Sequence, residues 1–123
     1  MPLPISDEEM LLLHNPKCSK SRATLALLEG EGVGFATRLY LEDPLDREEL
    51  QDLGRRLGAS IIEFTRTKQA EFASSGLSKD SSESAILDAM VANPILMERP
   101  VLIRGARAAI GRPPEDVLAL LED

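Results

Sequence analysis

Apolar positions along this chain fall into short runs of two different periods, separated by proline, glycine and asparagine. Met10 to Leu13 is a continuous apolar run ending at His14-Asn15-Pro16, the pattern of a buried strand stopped by a turn. From about Ser19 to Glu29 the spacing predicts a helix, with Ala23, Leu27 and Leu28 on one side and Gly30 at its end. Phe35, Thr37, Leu39 and Leu41 then alternate with Ala36, Arg38 and Tyr40, which is the period of a strand, and Asp43-Pro44 ends it.

Asp46 followed three residues later by Glu49 has the form of a capping box. Leu50, Leu53 and Leu57 lie on one face of the helix it opens, and Gly58 closes that helix. Ile61 to Phe64 is a short apolar piece whose type the pattern leaves open. Ser74-Ser75-Gly76 and Ser78 to Ser84 read as a loop-rich middle. Asp80 with Glu83 predicts another helix start, with Ile86, Ala89 and Met90 facing inward and a stop at Asn93-Pro94. Val101 to Ile103 and Ala108 to Ile110 flank Arg104-Gly105-Ala106-Arg107 as a hairpin, and Pro113-Pro114-Glu115-Asp116 begins a final helix. The order is strand, helix, strand, several helices, hairpin, helix. An opening βαβ unit and a closing hairpin combine into a mixed four-stranded sheet with helices on its faces. The expected fold is therefore α/β and thioredoxin-like, a single domain over residues 1–123 with a helical insertion between its two halves.

Composition then removes whole classes of function. A chain of 123 residues is long enough to bury one core without covalent staples. Lys and Arg number 14 against 21 Asp and Glu, a net charge of −7, which argues against a nucleic-acid partner that needs a basic face. Three Phe and one Tyr are too few for base-stacking platforms. No window approaches the ~18 apolar residues of a membrane span. The acidic start lacks a basic leader region, so no secretory signal is expected. The single cysteine excludes an intrachain disulfide and a multi-cysteine zinc site, and one histidine argues against a His-rich metal site. The expectation is a monomer in a reducing cytoplasm, with no metal and no bound cofactor.

The chemistry is expected at that one cysteine. Cys18 follows a strand and a proline-containing turn and opens a helix, where backbone N–H groups and the helix dipole favour a thiolate. Lys17, Lys20 and Arg22 add positive charge, Ser19 and Ser21 offer hydroxyls, and an oxyanion suits the same place. A lone cysteine is by default a small buried hydrophobe; the polar, turn-like flank Asn-Pro-Lys-Cys-Ser-Lys-Ser-Arg argues otherwise here. A dithiol redox motif needs a second cysteine where Ser21 stands, and a tyrosine-phosphatase loop needs arginine where Thr24 stands. What remains is one nucleophilic thiol resolved by a thiol from elsewhere. His14, at the strand end, is either a thiolate partner or a satisfied polar residue.

The stretch His14-Asn15-Pro16-Lys17-Cys18-Ser19-Lys20-Ser21-Arg22-Ala23-Thr24-Leu25 resembles the active-site segment of glutaredoxin-coupled arsenate reductases. Tyr40-Leu41-Glu42-Asp43-Pro44 with Asp46-Arg47-Glu48-Glu49-Leu50, Thr65-Arg66-Thr67-Lys68, Asn93-Pro94-Ile95-Leu96 with Glu98-Arg99-Pro100, and Gly111-Arg112-Pro113 follow in the family's order and spacing. The resemblance implies a thioredoxin-like fold and reduction of arsenate to arsenite, with glutathione and a glutaredoxin as electron donors and partners. By position it makes Cys18 the nucleophile, links His14 and Ser21 to thiolate stabilisation, and assigns Arg66, Arg99 and Arg112, with Asn15, to the arsenate. It also implies a cis peptide at Arg99–Pro100.

Guanidinium forks match the charge on tetrahedral oxygens, so the three arginines are expected to converge on Cys18. Arg55, Arg56, Arg104 and Arg107 are expected to be solvated surface charges. Ser19-Lys20 replaces the smaller pair common in the family. Two alternatives share the superfamily: an RNA-polymerase-binding regulator of the Spx type, and a thiol-dependent reductase of another substrate. The regulators mostly carry a second cysteine at the position of Ser21 and typically lack an arginine at that of Arg112.

Overall fold

A computed structural model describes residues 1–122 of the chain. They gather into two compact units: Met1–Asp43 together with the segment from Arg99 onward, and the inserted stretch Pro44–Glu98.

The first unit holds all four strands. β1 (Met10–His14), β2 (Ala36–Leu39), β3 (Val101–Arg104) and β4 (Arg107–Ile110) form a mixed sheet in the order β2-β1-β3-β4. β1 pairs in parallel with β2, Leu12 opposite Thr37, and antiparallel with β3, Leu11 opposite Ile103. As an inner strand with both faces covered, β1 reads as an unbroken leucine run rather than an alternating one. On one face Leu12 and Leu102 pack with Leu28, Val117 and Leu120. These come from helix α1 (Ser19–Gly30) and a 3-10 helix over Pro114–Leu121. The β3–β4 turn is two residues long, and Gly105 at φ +54 supplies the left-handed conformation it needs.

The buried stripe of α1 is Ser21, Thr24 and Leu28, and Ala23 is exposed, against expectation. Two polar residues occupy the inward face because each has a hydrogen-bond partner there, so hydrophobic periodicity misplaces the stripe. β2 also departs from simple alternation. Arg38 and Tyr40 are buried, while Phe35, Thr37 and Leu39 are half-buried. The Arg38 guanidinium donates to the carbonyls of Asp43 (2.9 Å) and Met1 (2.8 Å) and pairs with the Asp43 carboxylate at 3.4 Å, which makes its burial tolerable. Arg104 is not a free surface charge either: it donates to the carbonyls of Asp7 and Leu120. The last helix is 3-10 rather than α, and its buried residues, Val117 and Leu120, stand three apart, as three residues per turn requires.

The inserted unit is helical. α2 (Arg47–Leu57) begins with the expected capping box: Asp46 accepts from the Glu49 N–H at 2.8 Å and Glu49 accepts from the Asp46 N–H at 3.1 Å. Ile61–Phe64 is a 3-10 turn, which settles that apolar piece. α3 (Ala70–Ser74) went unpredicted, because five residues with one buried side chain, Phe72, carry no readable period. α4 (Glu83–Ala92) is capped by Ser82, whose hydroxyl accepts from the Ala85 N–H; Asp80 lies in the turn before it and its N–H donates to the Ser78 hydroxyl. An Asp-x-x-Glu spacing thus identified the helix but not its cap. Arg56 pairs with Asp52 at 2.9 Å and is half-buried, whereas Arg55 is exposed, as is Arg107 on β4. Among the described residues no helix is long and apolar enough to cross a membrane.

Candidate active site

β1 ends at His14, and the chain turns through Asn15-Pro16-Lys17 into α1. Two bonds hold the turn: the Asn15 side-chain oxygen accepts from the Lys17 N–H at 3.0 Å, and the Asn15 carbonyl accepts from the Cys18 N–H at 3.0 Å. Cys18 is therefore the N-cap residue of α1, in extended conformation, with its side chain at the helix end where N–H groups are unpaired.

The half-buried sulfur has three kinds of neighbour. Burial pushes the Cys18 thiol up, but the Ser21 backbone N–H, the charge and N–H donors of Arg99, and the Lys20 backbone N–H together outweigh it. The thiol is held below its ordinary value. This is helix-end stabilisation reinforced by one guanidinium. Lys17, Lys20 and Arg22 are all exposed around the same turn, and Arg22 also donates to the Pro16 carbonyl at 3.0 Å.

Beneath the turn lies a small polar core. The fully buried Ser21 hydroxyl accepts from the Asn15 N–H at 2.9 Å and lies 2.7 Å from Nδ1 of the buried His14. Burial first, and then the Arg22 charge, lower the His14 pKa from its ordinary 6.5. His14 is thus neutral at pH 7, and the imidazolium form of its expected partnership with the thiolate is disfavoured. Ser21 serves the site twice, with its N–H on the sulfur and its hydroxyl on the turn and the histidine.

Arg99 is brought to Cys18 as expected. Its Nε and Nη1 are buried and have no hydrogen-bond partner. It precedes β3 through Pro100, and the Arg99–Pro100 bond is cis, as the resemblance implied; Arg112–Pro113 is cis as well, which was not expected. Arg112 is exposed. Its neighbour Gly111 donates its N–H to the Pro100 carbonyl at 2.9 Å and packs against Thr24 of α1, so the Arg112 backbone lies beside the segment that carries Arg99. Arg66 belongs to the inserted unit. There its N–H donates to the Leu96 carbonyl at 2.6 Å, and its Nη1 is buried without a partner. The structure thus gathers Cys18, His14, Asn15, Ser21 and Arg99 at one sheet end. Sequence reasoning missed Thr24 and Gly111: a polar residue inside a buried stripe and a glycine before Arg-Pro have no periodic signal. No group of three or more His, Cys, Asp or Glu placed to hold a metal ion occurs among the described residues.

This arrangement can hold a thiolate and present an anion to it. Two buried N–H-bearing nitrogens of Arg99 lack a partner beside a half-buried nucleophile, and buried donors of that kind are ordinarily satisfied.

The model of the ArsC family matches residues 13–120. The chain is 46% identical over 116 residues to the uncharacterized protein YfgD of Escherichia coli (strain K12), covering 93% of this chain and 98% of that one. It is 41% identical over 114 residues to an arsenate reductase of Haemophilus influenzae, covering 91% and 98%. Among solved structures, an arsenate reductase from Vibrio cholerae superposes with a TM-score of 0.87 at 39% identity, over 91% of this chain and 97% of that one. The chain belongs to the ArsC family and has its thioredoxin-like fold.

Proposed function

We propose that this protein is an arsenate reductase that works through a thiol–arsenate adduct on Cys18, with glutathione and a glutaredoxin as electron donors. The observation that carries the reading is the Cys18 thiol, held low at the start of α1 beside an arginine with buried, unpartnered donors. Arsenate brings negative charge on tetrahedral oxygens; Arg99, with Arg112, neutralises it, an attraction that strengthens as charge grows during attack. The presence of Arg112 and of serine rather than cysteine at position 21 favours the reductase over the regulator. Relatives named arsenate reductase support the choice of substrate.

The Cys18 thiolate attacks arsenic, and an arsenate oxygen leaves as water after protonation. Glutathione's thiol then attacks the Cys18 sulfur. The sulfur–arsenic bond breaks with its electron pair going to arsenic, which departs as arsenite. The two electrons come from the two thiols, now a mixed disulfide between Cys18 and glutathione. A glutaredoxin thiol takes the glutathionyl group and frees Cys18. The neutral His14–Ser21 pair holds the turn, and Asn15 shapes it. Arsenite production with glutathione and glutaredoxin, compared between the native protein and Cys18→Ser, tests the proposal. Turnover is expected to vanish in the variant; equal turnover in both rejects it.

A further inference from the structure

Gly111 lies between two elements that carry the reacting groups, at a point with no room for a side chain. A Cβ built there meets Thr24 Oγ1 at 2.7 Å and Pro100 Cγ at 2.9 Å, both closer than real Cβ contacts come. Neither neighbour yields easily. Thr24 is fully buried in α1, and its hydroxyl is fixed by donation to the Lys20 carbonyl at 2.9 Å. Pro100 is a buried ring, and its carbonyl accepts the Gly111 N–H. Thr24 sits in the second turn of the helix that Cys18 opens, and Pro100 follows Arg99 directly.

We infer that Gly111 is a positioning residue: its bare Cα lets α1 and the Arg99–Pro100 segment close together, and so sets the separation between the Cys18 sulfur and the Arg99 guanidinium. The inference rests on the proposed reaction for its bearing on arsenate, but not for its geometry. Thr24 is the other half of the same contact. Lys20, whose carbonyl fixes the Thr24 hydroxyl, gives its own N–H to the sulfur, so the contact reaches Cys18 from the helix side too.

Gly111→Ala wedges the two elements apart. The midpoint of thiolate absorbance against pH, read without arsenate present, is expected to rise as the Arg99 charge recedes, by part of the shift that removing the Arg99 side chain gives. Arsenate KM is expected to rise several-fold more than kcat falls, since binding geometry is lost while the nucleophile remains. A purely structural defect lowers thermal stability and leaves the thiol midpoint where it was. Thr24→Val presses on the contact from the helix side and is expected to move the midpoint the same way; Thr24→Ser, which retains the hydroxyl, is expected to restore it. Thr24→Val serves as the probe if Gly111→Ala does not fold. A native midpoint in a folded Gly111→Ala, or in Thr24→Val where the first does not fold, overturns the inference. Absence of arsenate turnover in the native protein, with the midpoint moving as expected, overturns the proposed reaction and leaves the positioning role standing.

Discussion

At the scale of single residues, the negative charge on Cys18 is stabilised from two directions, the α1 backbone and the Arg99 side chain. Arg99→Ala should therefore raise the thiolate midpoint by about one unit without exposing the sulfur to a new partner; ultraviolet titration measures it, and an unchanged midpoint contradicts the assignment. His14 makes a prediction of the opposite kind. Its folded pKa lies below the ordinary 6.5, so the unfolded chain takes up its proton first as pH falls. Stability then drops as pH descends through 6.5 and stops dropping below the folded value. Denaturant midpoints at about pH 7.5 and about pH 5.5 should differ more for the native protein than for His14→Gln. The position of Cys18 at the start of α1 was legible because strand, proline turn and helix start each carry a local signal. Thr24 and Gly111 were not, because their part is a contact between segments far apart in sequence.

Among the elements, α2 shows what local sequence can specify. Asp-x-x-Glu, a leucine face and a closing glycine all agree, and the capping box forms with both bonds. Asp46→Ala is expected to cost about 1 kcal/mol of stability, seen as a lower thermal midpoint, with the Cys18 titration unmoved. The same logic ran short at α4, where Ser82 stood closer to the helix start than Asp80 did, and at α1, where satisfied polar residues took the buried stripe. Both failures have one cause: side-chain hydrogen bonds set a cap or a face, and hydropathy does not register them. The 3-10 form of the final helix was not legible, because Val117 to Leu121 is an unbroken apolar run in which either helical period fits.

For the molecule as a whole, a single cysteine and a net charge of −7 fix what the proposed cycle needs from outside. No second thiol of its own can release Cys18, so turnover is expected with glutathione plus glutaredoxin and not with thioredoxin as sole donor. Arsenite release in the two mixtures decides it, and steady turnover with thioredoxin and no glutathione refutes the scheme. The mixed sheet was readable from the order of periods along the chain. The helical insertion between the two halves was readable in the same way, and it is the stretch Pro44–Glu98; that it gathers into a compact unit of its own was not, because compactness depends on contacts that no period records.

The order of the strands bears on how the protein is made. The inner strand β1 is completed by residue 14, yet its antiparallel partner β3 begins at Val101. During synthesis, one edge of this leucine-rich strand has no mate until about four-fifths of the chain has been polymerised. A nascent chain halted before Val101 therefore carries an open, sticky edge at Leu11, Leu12 and Leu13. Premature termination before β3 yields a species prone to aggregate rather than a shortened enzyme.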